Sequence, residues 1–457
     1  MQINLHFHSL IRTFGFAEGT IARNSKEKTG FFFAVPSLIR TFAAMKRFFL
    51  FLMLLPMAVL GQDGTDTIES QTVLVEQGPD GLTLRPVDYS GTLTARLDTL
   101  MADSLLETTQ LGLMVWDLTT DSLLYQHNAR QLLRPASTMK LLTAITALDH
   151  LGVYHRYNTS LYYKGTISRG QLTGDLICVG GMDPMFDNGD MKAMAKAVRQ
   201  LGITSLRGKI ICDNSMKDQD KWGEGWCWDD KNPTLSPLLI EGSPMFSNAL
   251  VRELKAAGVT TAGATVTSGK LPAGATLVCT RWHSIDDVML QMMKESDNLY
   301  AEATYYQVAA SCGHRPATAR DAQKYEEALL TRAGLDAEVY RLADGSGLSL
   351  YNYLSAEAEV MILRYAWQKP TVYNHLLATL PVAGVDGTLK KRMTDDEASC
   401  GNVVAKTGTV TGVSALAGYL TAPNGHRLAF SIINQGIRHA GDGRRFQDRL
   451  CHILCTL

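Results

Sequence analysis

Apolar and polar positions alternate over Leu111-Gly112-Leu113-Met114-Val115-Trp116-Asp117 and again over Ser122-Leu123-Leu124-Tyr125, which predicts two strands joined by a turn around Thr119-Thr120-Asp121. The apolar run Leu141-Leu142-Thr143-Ala144-Ile145-Thr146-Ala147-Leu148 reads as a helix that stops near Gly152, a residue suited to a helix C-terminus. From about 157 to 282 the pattern changes. Short strand candidates at 174–179, 208–213, 259–267 and 275–280 alternate with Gly-rich turns, and 191–201 has helical periodicity. Helical periodicity then dominates over 285–295, 299–311 and 319–333. Residues 403–409, 414–421 and 427–434 are spaced like consecutive antiparallel strands, followed by an amphipathic helix over 444–454. Two strands near the start and three near the end predict one sheet with helices on its faces, which closes only if the ends of the chain meet.

The 457 residues are enough for two or three domains. A formal charge of −1 without a basic stripe argues against a nucleic-acid partner. Met45-Lys46-Arg47 followed by the apolar stretch 48–60 and Gly61 reads as a secretory signal peptide over 45–61, its apolar part too short to span a membrane comfortably. Export to the periplasm and no transmembrane span after signal removal follow as expectations. Residues 1–44 repeat Ser-Leu-Ile-Arg-Thr-Phe at 9–14 and 37–42 and read as a spurious upstream extension, with Met45 as the start. Residues 62–92 are polar, rich in Gly and Asp, and read as a flexible lead-in. In an oxidising compartment the eight cysteines could pair, with a connectivity that spacing does not reveal, although Cys451 and Cys455 sit one helical turn apart like packed thiols. No H-E-x-x-H or C-x-x-C spacing occurs and the histidines are scattered, so neither a metal nor another cofactor is expected.

Chemistry enters with Ser137-Thr138-Met139-Lys140 at the start of the apolar helix. Residues three apart on a helix share a face, so Lys140 can project beside Ser137 and act as the base a serine hydroxyl needs. The pattern alone is weak, since Ser25-Lys26-Glu27-Lys28 and Lys28-Thr29-Gly30 also fit serine-lysine and K-T-G patterns within the upstream extension. Two later segments change the balance. Ser296-Asp297-Asn298 falls between two helical stretches, and Lys406-Thr407-Gly408-Thr409 falls on a strand-like run. S-x-x-K, S-x-N and K-T-G, in that order, are the set used by serine acyl-transfer enzymes that bind penicillin.

On these three elements the chain resembles the low-molecular-mass penicillin-binding proteins, most of all the D-alanyl-D-alanine carboxypeptidase/endopeptidase branch, peptidase family S13. The wide separation of Ser137 from Ser296 resembles that branch, as do Gly181-Met182-Asp183-Pro184, Gly225-Trp226-Cys227-Trp228-Asp229-Asp230, Asp344-Gly345-Ser346-Gly347-Leu348-Ser349 and Asp386-Gly387-Thr388-Leu389. Two departures are the missing glycine in Gly181-Met182-Asp183 and Leu350 where an arginine is common. The resemblance implies an α/β fold: a penicillin-binding-protein or serine β-lactamase-like transpeptidase domain, an antiparallel sheet flanked by helices, with a large, mostly β inserted region. The catalytic domain then comprises 93–156 and 283–457, with the insertion at 157–282. It further implies that Ser137 attacks the carbonyl between two D-alanines and that Lys140 takes its proton, its pKa lowered by burial and by Lys406. Ser296 passes the proton on, Asn298 holds the substrate amide, and Lys406, Thr407, Gly408 and Thr409 receive the terminal carboxylate. Backbone N–H groups of Ser137 and Thr409 form the oxyanion hole. Asp230 suits the amine of a diamino-acid side chain, and Asp344 reads as a turn stabiliser. The implied partners are peptidoglycan stem peptides and β-lactams, with room for a homodimer. A serine β-lactamase and a non-catalytic wall-binding or antibiotic-sensing module are the alternatives.

Overall fold

The computed structural model describes residues 73–78, 81–86 and 89–456. The upstream extension expected over 1–44 and the signal peptide over 45–61 lie outside these residues. One unit holds a hairpin, β1 (Val73–Gly78) and β2 (Gly81–Pro86), paired antiparallel from Val73 opposite Pro86 to Gly78 opposite Gly81. The segment expected as a lead-in therefore contains regular structure. Alternation at Val73, Val75, Leu82 and Leu84 carries it, beneath a composition rich in Gly and Asp.

The second unit begins with α1 (Tyr89–Leu100), followed by the antiparallel pair β3 (Gln110–Asp117) and β4 (Ser122–His127) and then α2 (Met139–His150). Ten consecutive residues of α2, from Met139 to Leu148, are buried, so this helix is the centre of a core and not a surface helix. Gly152, at φ +82°, lies just beyond its end.

The chain then leaves for a second sheet built from β5 (Arg156–Ser168), β6 (Gln171–Val179), β7 (Ser205–Arg207), β8 (Lys209–Asp213), β9 (Thr265–Ser268) and β10 (Thr276–Ser284). Its order is β10-β5-β6-β8-β9, with β7 also pairing β6. Pairing is antiparallel through β10, β5 and β6 and parallel through β6, β8 and β9. Two amphipathic helices, α3 (Asn188–Gln200) and α4 (Phe246–Ala256), share a core with this sheet in which Met191, Met194, Val198, Phe246, Leu250 and Leu254 are buried. The strand expected over 259–267 shortens to Thr265–Ser268 because Gly263, at φ +91°, turns the chain just before it. All eight cysteines are unbridged, and Cys451 and Cys455 are buried as packed thiols.

After β10 come α5 (Ile285–Lys294), α6 (Asn298–Ala310), α7 (Ala319–Arg332), α8 (Ala356–Trp367) and α9 (Pro370–Thr379). The chain closes with β11 (Val404–Val410), β12 (Val413–Thr421), β13 (Arg427–Gln435) and α10 (Ala440–Cys455). The three late strands join the two early ones in the antiparallel order β11-β12-β13-β3-β4, with Phe430 opposite Val115 and Gln435 opposite Gln110. One core of this sheet receives Leu93, Leu97 and Leu100 of α1 with Phe446, Leu450 and Leu454 of α10. The other gathers α2 and α5–α9 around Ile145, Val288, Ala301 and Leu363. Sheet and helices together fix where the edge strand β11 runs relative to α2. No helix among the described residues is long and apolar enough to cross a membrane.

Ile145 is fully buried at the middle of α2. Ile145→Ala is expected to cost about 2–5 kcal/mol through lost burial and a residual cavity, measured as the fall in unfolding free energy in urea.

Candidate active site

Ser137 sits in a single 3-10 turn, Ala136–Thr138, immediately before α2. Ala136 holds φ at +50°, a conformation that costs a non-glycine residue about 1–2 kcal/mol. Two glycine backbones press on this turn. A Cβ on Gly347 would lie 1.8 Å from the Ala136 carbonyl oxygen, and one on Gly408 would lie 2.6 Å from the Pro135 oxygen and 3.1 Å from the Ser137 and Thr138 nitrogens. Only glycine allows the 344–349 loop and strand β11 to approach the serine so closely.

The Lys140 side chain is completely buried and its Nζ reaches three segments. It donates to Ser137 Oγ at 3.0 Å, to Asn298 Oδ1 at 2.7 Å and to the Ser346 carbonyl at 2.7 Å. Asn298 is the first residue of α6. The cap of that helix is Asp297, whose carboxylate accepts from the Leu299 and Tyr300 N–H groups. Ser296 is thus freed from capping. It stands at φ +60° and receives a hydrogen bond from Lys406 Nζ at 2.8 Å. Lys406 is also fully buried, on the edge strand, and donates to the Thr407 carbonyl at 2.8 Å. Its Nζ has no carboxylate partner among the described residues. Thr407 Oγ1 bonds Thr388 Oγ1 at 2.8 Å, and Thr409 is exposed.

Burial pulls the Lys140 amine down to about 8, against the opposing pull of Asp344, Glu302 and Asp297. Lys406 is pushed well below the ordinary lysine value by burial first and by the charge of Lys140 second. The expected lowering of Lys140 by Lys406 is not among these influences. Burial lowers the amine, and the carboxylates behind it set how far.

Behind Lys140 lies the Asp344-Gly345-Ser346-Gly347 loop. Asp344 is buried and accepts from the Gly347 and Ser349 N–H groups, Asn352 Nδ2 and Trp226 Nε1, the last at 2.7 Å. Its place as a turn stabiliser thus extends to the insertion, because Trp226 ties the 222–230 segment to the same loop. The Ser346 N–H donates to Glu302 Oε1 at 2.8 Å. Glu302 is itself buried and raised to about 8, by burial and then by Asp344.

The D-Ala-D-Ala carboxypeptidase 3 (S13) family matches the chain over residues 93–242 and 239–457. The chain belongs to this family. The D-alanyl-D-alanine carboxypeptidase of Actinomadura sp. (strain R39) is 28% identical over 442 residues, covering 76% of this chain and 81% of that protein. The D-alanyl-D-alanine carboxypeptidase DacB of Haemophilus influenzae is 24% identical over 413 residues, covering 72% and 86%. The fold matches the crystal structure of penicillin binding protein 4 (dacB) from the same organism with a TM-score of 0.72 at 22% identity, over 81% of this chain and all of that one.

In this S13 chain the structure brings Ser137, Lys140 and Asn298 into one hydrogen-bonded cluster and joins Ser296 to Lys406 beside it. Gly408 abuts the serine turn. Asp230 is different: it is exposed, on a segment whose neighbour Trp228 is 83% exposed, and only its backbone is engaged, through Cys227 and Asn232. Sequence reasoning missed Glu302, Glu326, Ser346 and Glu359. The available signal was a lone carboxylate in an otherwise apolar helical stretch, as at Glu302 between Ala301 and Ala303. Against the expectation of no metal, Cys312, His314 and Asp321 come within 4.8 Å of one another, but both Asp321 oxygens are already engaged by Thr318 and Lys324.

Gly347, at φ +77° against the Ala136 oxygen, tolerates no side chain. Gly347→Ala is expected to slow acylation by a labelled penicillin at least tenfold, as about 1.4 kcal/mol of displacement at the serine turn suffices for that. Gel-based adduct formation over time measures it.

Proposed function

We propose that this S13 peptidase cleaves D-Ala-D-Ala-terminated stem peptides of peptidoglycan through an acyl-enzyme at Ser137. The observation that carries the reading is the 3.0 Å contact between Ser137 Oγ and the buried Nζ of Lys140, an amine poised near 8. Neutral Lys140 takes the Ser137 proton as the Oγ–carbonyl bond forms. The charge arising on the substrate oxygen meets the backbone N–H groups of Ser137 and Thr409, a donor pair of a kind worth a few kcal/mol of barrier. The proton then passes by way of Ser296 to the departing D-alanine nitrogen as the C–N bond breaks. Water attacks the ester, returns a proton to the same relay and frees the serine.

Lys406 supplies the reason for a carboxylate-ended substrate. Burial disfavours the charged form of Lys406, and a terminal carboxylate laid along Thr407 and Thr409 would supply the partner that restores it. Asn298, held by Lys140, presents its amide to the peptide backbone of the substrate. Asp230, on the segment that Trp226 anchors to the 344–349 loop, is free to meet the amine of a diamino-acid side chain. Penicillin presents a strained amide and a carboxylate in the same relation, so it acylates the same serine. The H. influenzae penicillin binding protein 4 has been solved complexed with a novel β-lactam. Export to the periplasm places the enzyme with this substrate.

The defining experiment combines a labelled penicillin with peptide mapping. A long-lived adduct on Ser137 is expected. Fast release would mark a β-lactamase, and absence of an adduct would mark a binding module. Lys140→Ala is expected to slow acylation about 10³-fold, within the range for loss of a general base. Because only the neutral amine accepts the proton, the acylation rate should climb with pH, by up to about tenfold per unit, below 8 and stop climbing above it. A flat profile from pH 6 to 9 would remove Lys140 from that role. Asp230→Ala should lower cleavage of cross-linked stem peptides about tenfold, as for a charge-assisted contact, while hydrolysis of a simple ester stays unchanged. Equal loss on both would make Asp230 structural. Mass analysis of digested peptidoglycan separates removal of a terminal D-alanine from opening of cross-links.

A further inference from the structure

Glu359 of α8 is completely buried, yet the acyl-transfer scheme above does not use it. Its two oxygens face two hydroxyls: Oε1 pairs with Thr138 Oγ1, and Oε2 with Ser431 Oγ of β13 at 2.6 Å. Thr138 Oγ1 is also 2.6 Å from the Pro135 carbonyl oxygen. A carbonyl oxygen only accepts, and a threonine hydroxyl has one proton to give. If that proton goes to Pro135, the contact between Thr138 and Glu359 needs a proton of its own, and only the carboxyl group can supply it.

We propose that Glu359 is a positioning residue that works in its protonated form, as the head of a relay from sheet to nucleophile. Ser431 donates to Oε2, the Oε1 hydroxyl donates to Thr138, and the Thr138 hydroxyl donates to the Pro135 carbonyl. Pro135 and Thr138 bracket Ala136 and Ser137, so the relay clamps both ends of the strained turn. The same Pro135 oxygen lies against Gly408 of β11, and the clamp thereby sets the gap between the serine and the strand expected to hold the substrate. Loss of the proton would leave two oxygens facing each other across the Thr138 contact, unless the threonine turned its proton to the carboxylate and released Pro135.

The surroundings favour the acid. α8 packs on β3, β12, β13, α2, α7 and α9. Their titratable groups are engaged elsewhere: Asp117 with His426, Tyr419 with the Leu363 carbonyl, Arg427 with Tyr373, Lys140 with Ser346, Asp149 with Arg332, His150 with Ser311 and the Tyr325 ring, Arg320 with Glu327, Asp321 with Lys324, Glu326 with Thr143 and His375 with Asp286. Burial raises the Glu359 carboxyl to about 7, against the opposing hydrogen bonds of Ser431 and Thr138.

Glu359→Gln tests this, because an amide donates from nitrogen and accepts at oxygen as the protonated acid does, but cannot ionise. At pH 6 the variant is expected to acylate with labelled penicillin within about threefold of the parent protein, since every bond is retained. The ratio of variant to parent rate should then rise roughly fivefold between pH 6 and 9, as only the parent loses the proton. Infrared difference spectra of parent minus variant at pH 6 should show a carboxylic-acid carbonyl band that fades as the pH rises. A rate ratio independent of pH overturns the proposal, and so does a difference spectrum with only the carboxylate band at pH 6. A Gln variant that does not fold also overturns it, because the amide reproduces both bonds of the acid. The readouts use parent and variant side by side, so failure of the Ser137 assignment itself would appear separately, as absence of an adduct in both.

Discussion

The burial of one lysine amine ties this enzyme together. Lys140 gives up all contact with water and recovers its hydrogen bonds from Ser137, Asn298 and Ser346, groups that come from three separate stretches of the chain. Leaving a buried donor without one of its hydrogen-bond partners typically costs about 1–3 kcal/mol, so the three stretches are held in register by a penalty as much as by attraction. The same burial that constrains the fold depresses the amine toward neutrality. Structure and chemistry thus draw on one desolvation term, and the carboxylates of Asp344, Glu302 and Asp297 limit how far it goes.

Around that amine the molecule is built in contacts too close for side chains. The serine turn is pressed between Gly347 and Gly408, one from a loop and one from the edge strand, and Ala136 adopts a left-handed conformation between them. Strain of this kind persists where surrounding structure over-determines it. Here the over-determination is visible. Asp344 fixes the loop by accepting from five donors, the sheet pairing fixes β11, and Thr138 is tied to Pro135 and Glu359. The insertion takes part in this scaffold, since the Trp226 indole is one of the five donors to Asp344. A segment remote from the serine in sequence is thereby coupled to the loop that receives the Lys140 amine.

Periodicity was a good guide wherever one face of an element meets water or a single core. The strands at 110–117 and 404–435 and the amphipathic α3 and α10 fall where alternation and helical spacing put them. It was a poorer guide at 259–267, where a β-rich composition hides the Gly263 turn, and at 73–86, where Gly and Asp hide a hairpin. The candidate site was legible because its chemistry sits in contiguous motifs: Ser137 with Lys140, Ser296 with Asn298, and Lys406 with Gly408. Glu302, Glu326 and Glu359 carry no such signature. Each is a single carboxylate whose meaning depends on what lies across a helix interface.

The amino-acid sequence by itself determined the family, the three site motifs and the elements that bear them, since each follows from local spacing and from order along the chain. Tertiary structure alone decided which groups set the charge of Lys140, that Asp297 and not Ser296 caps α6, and that Glu359 shares a hydrogen-bond chain with the serine turn. The reason is physical. Spacing within an element is dictated by backbone geometry, whereas desolvation and proton sharing depend on groups that meet only after the chain has folded.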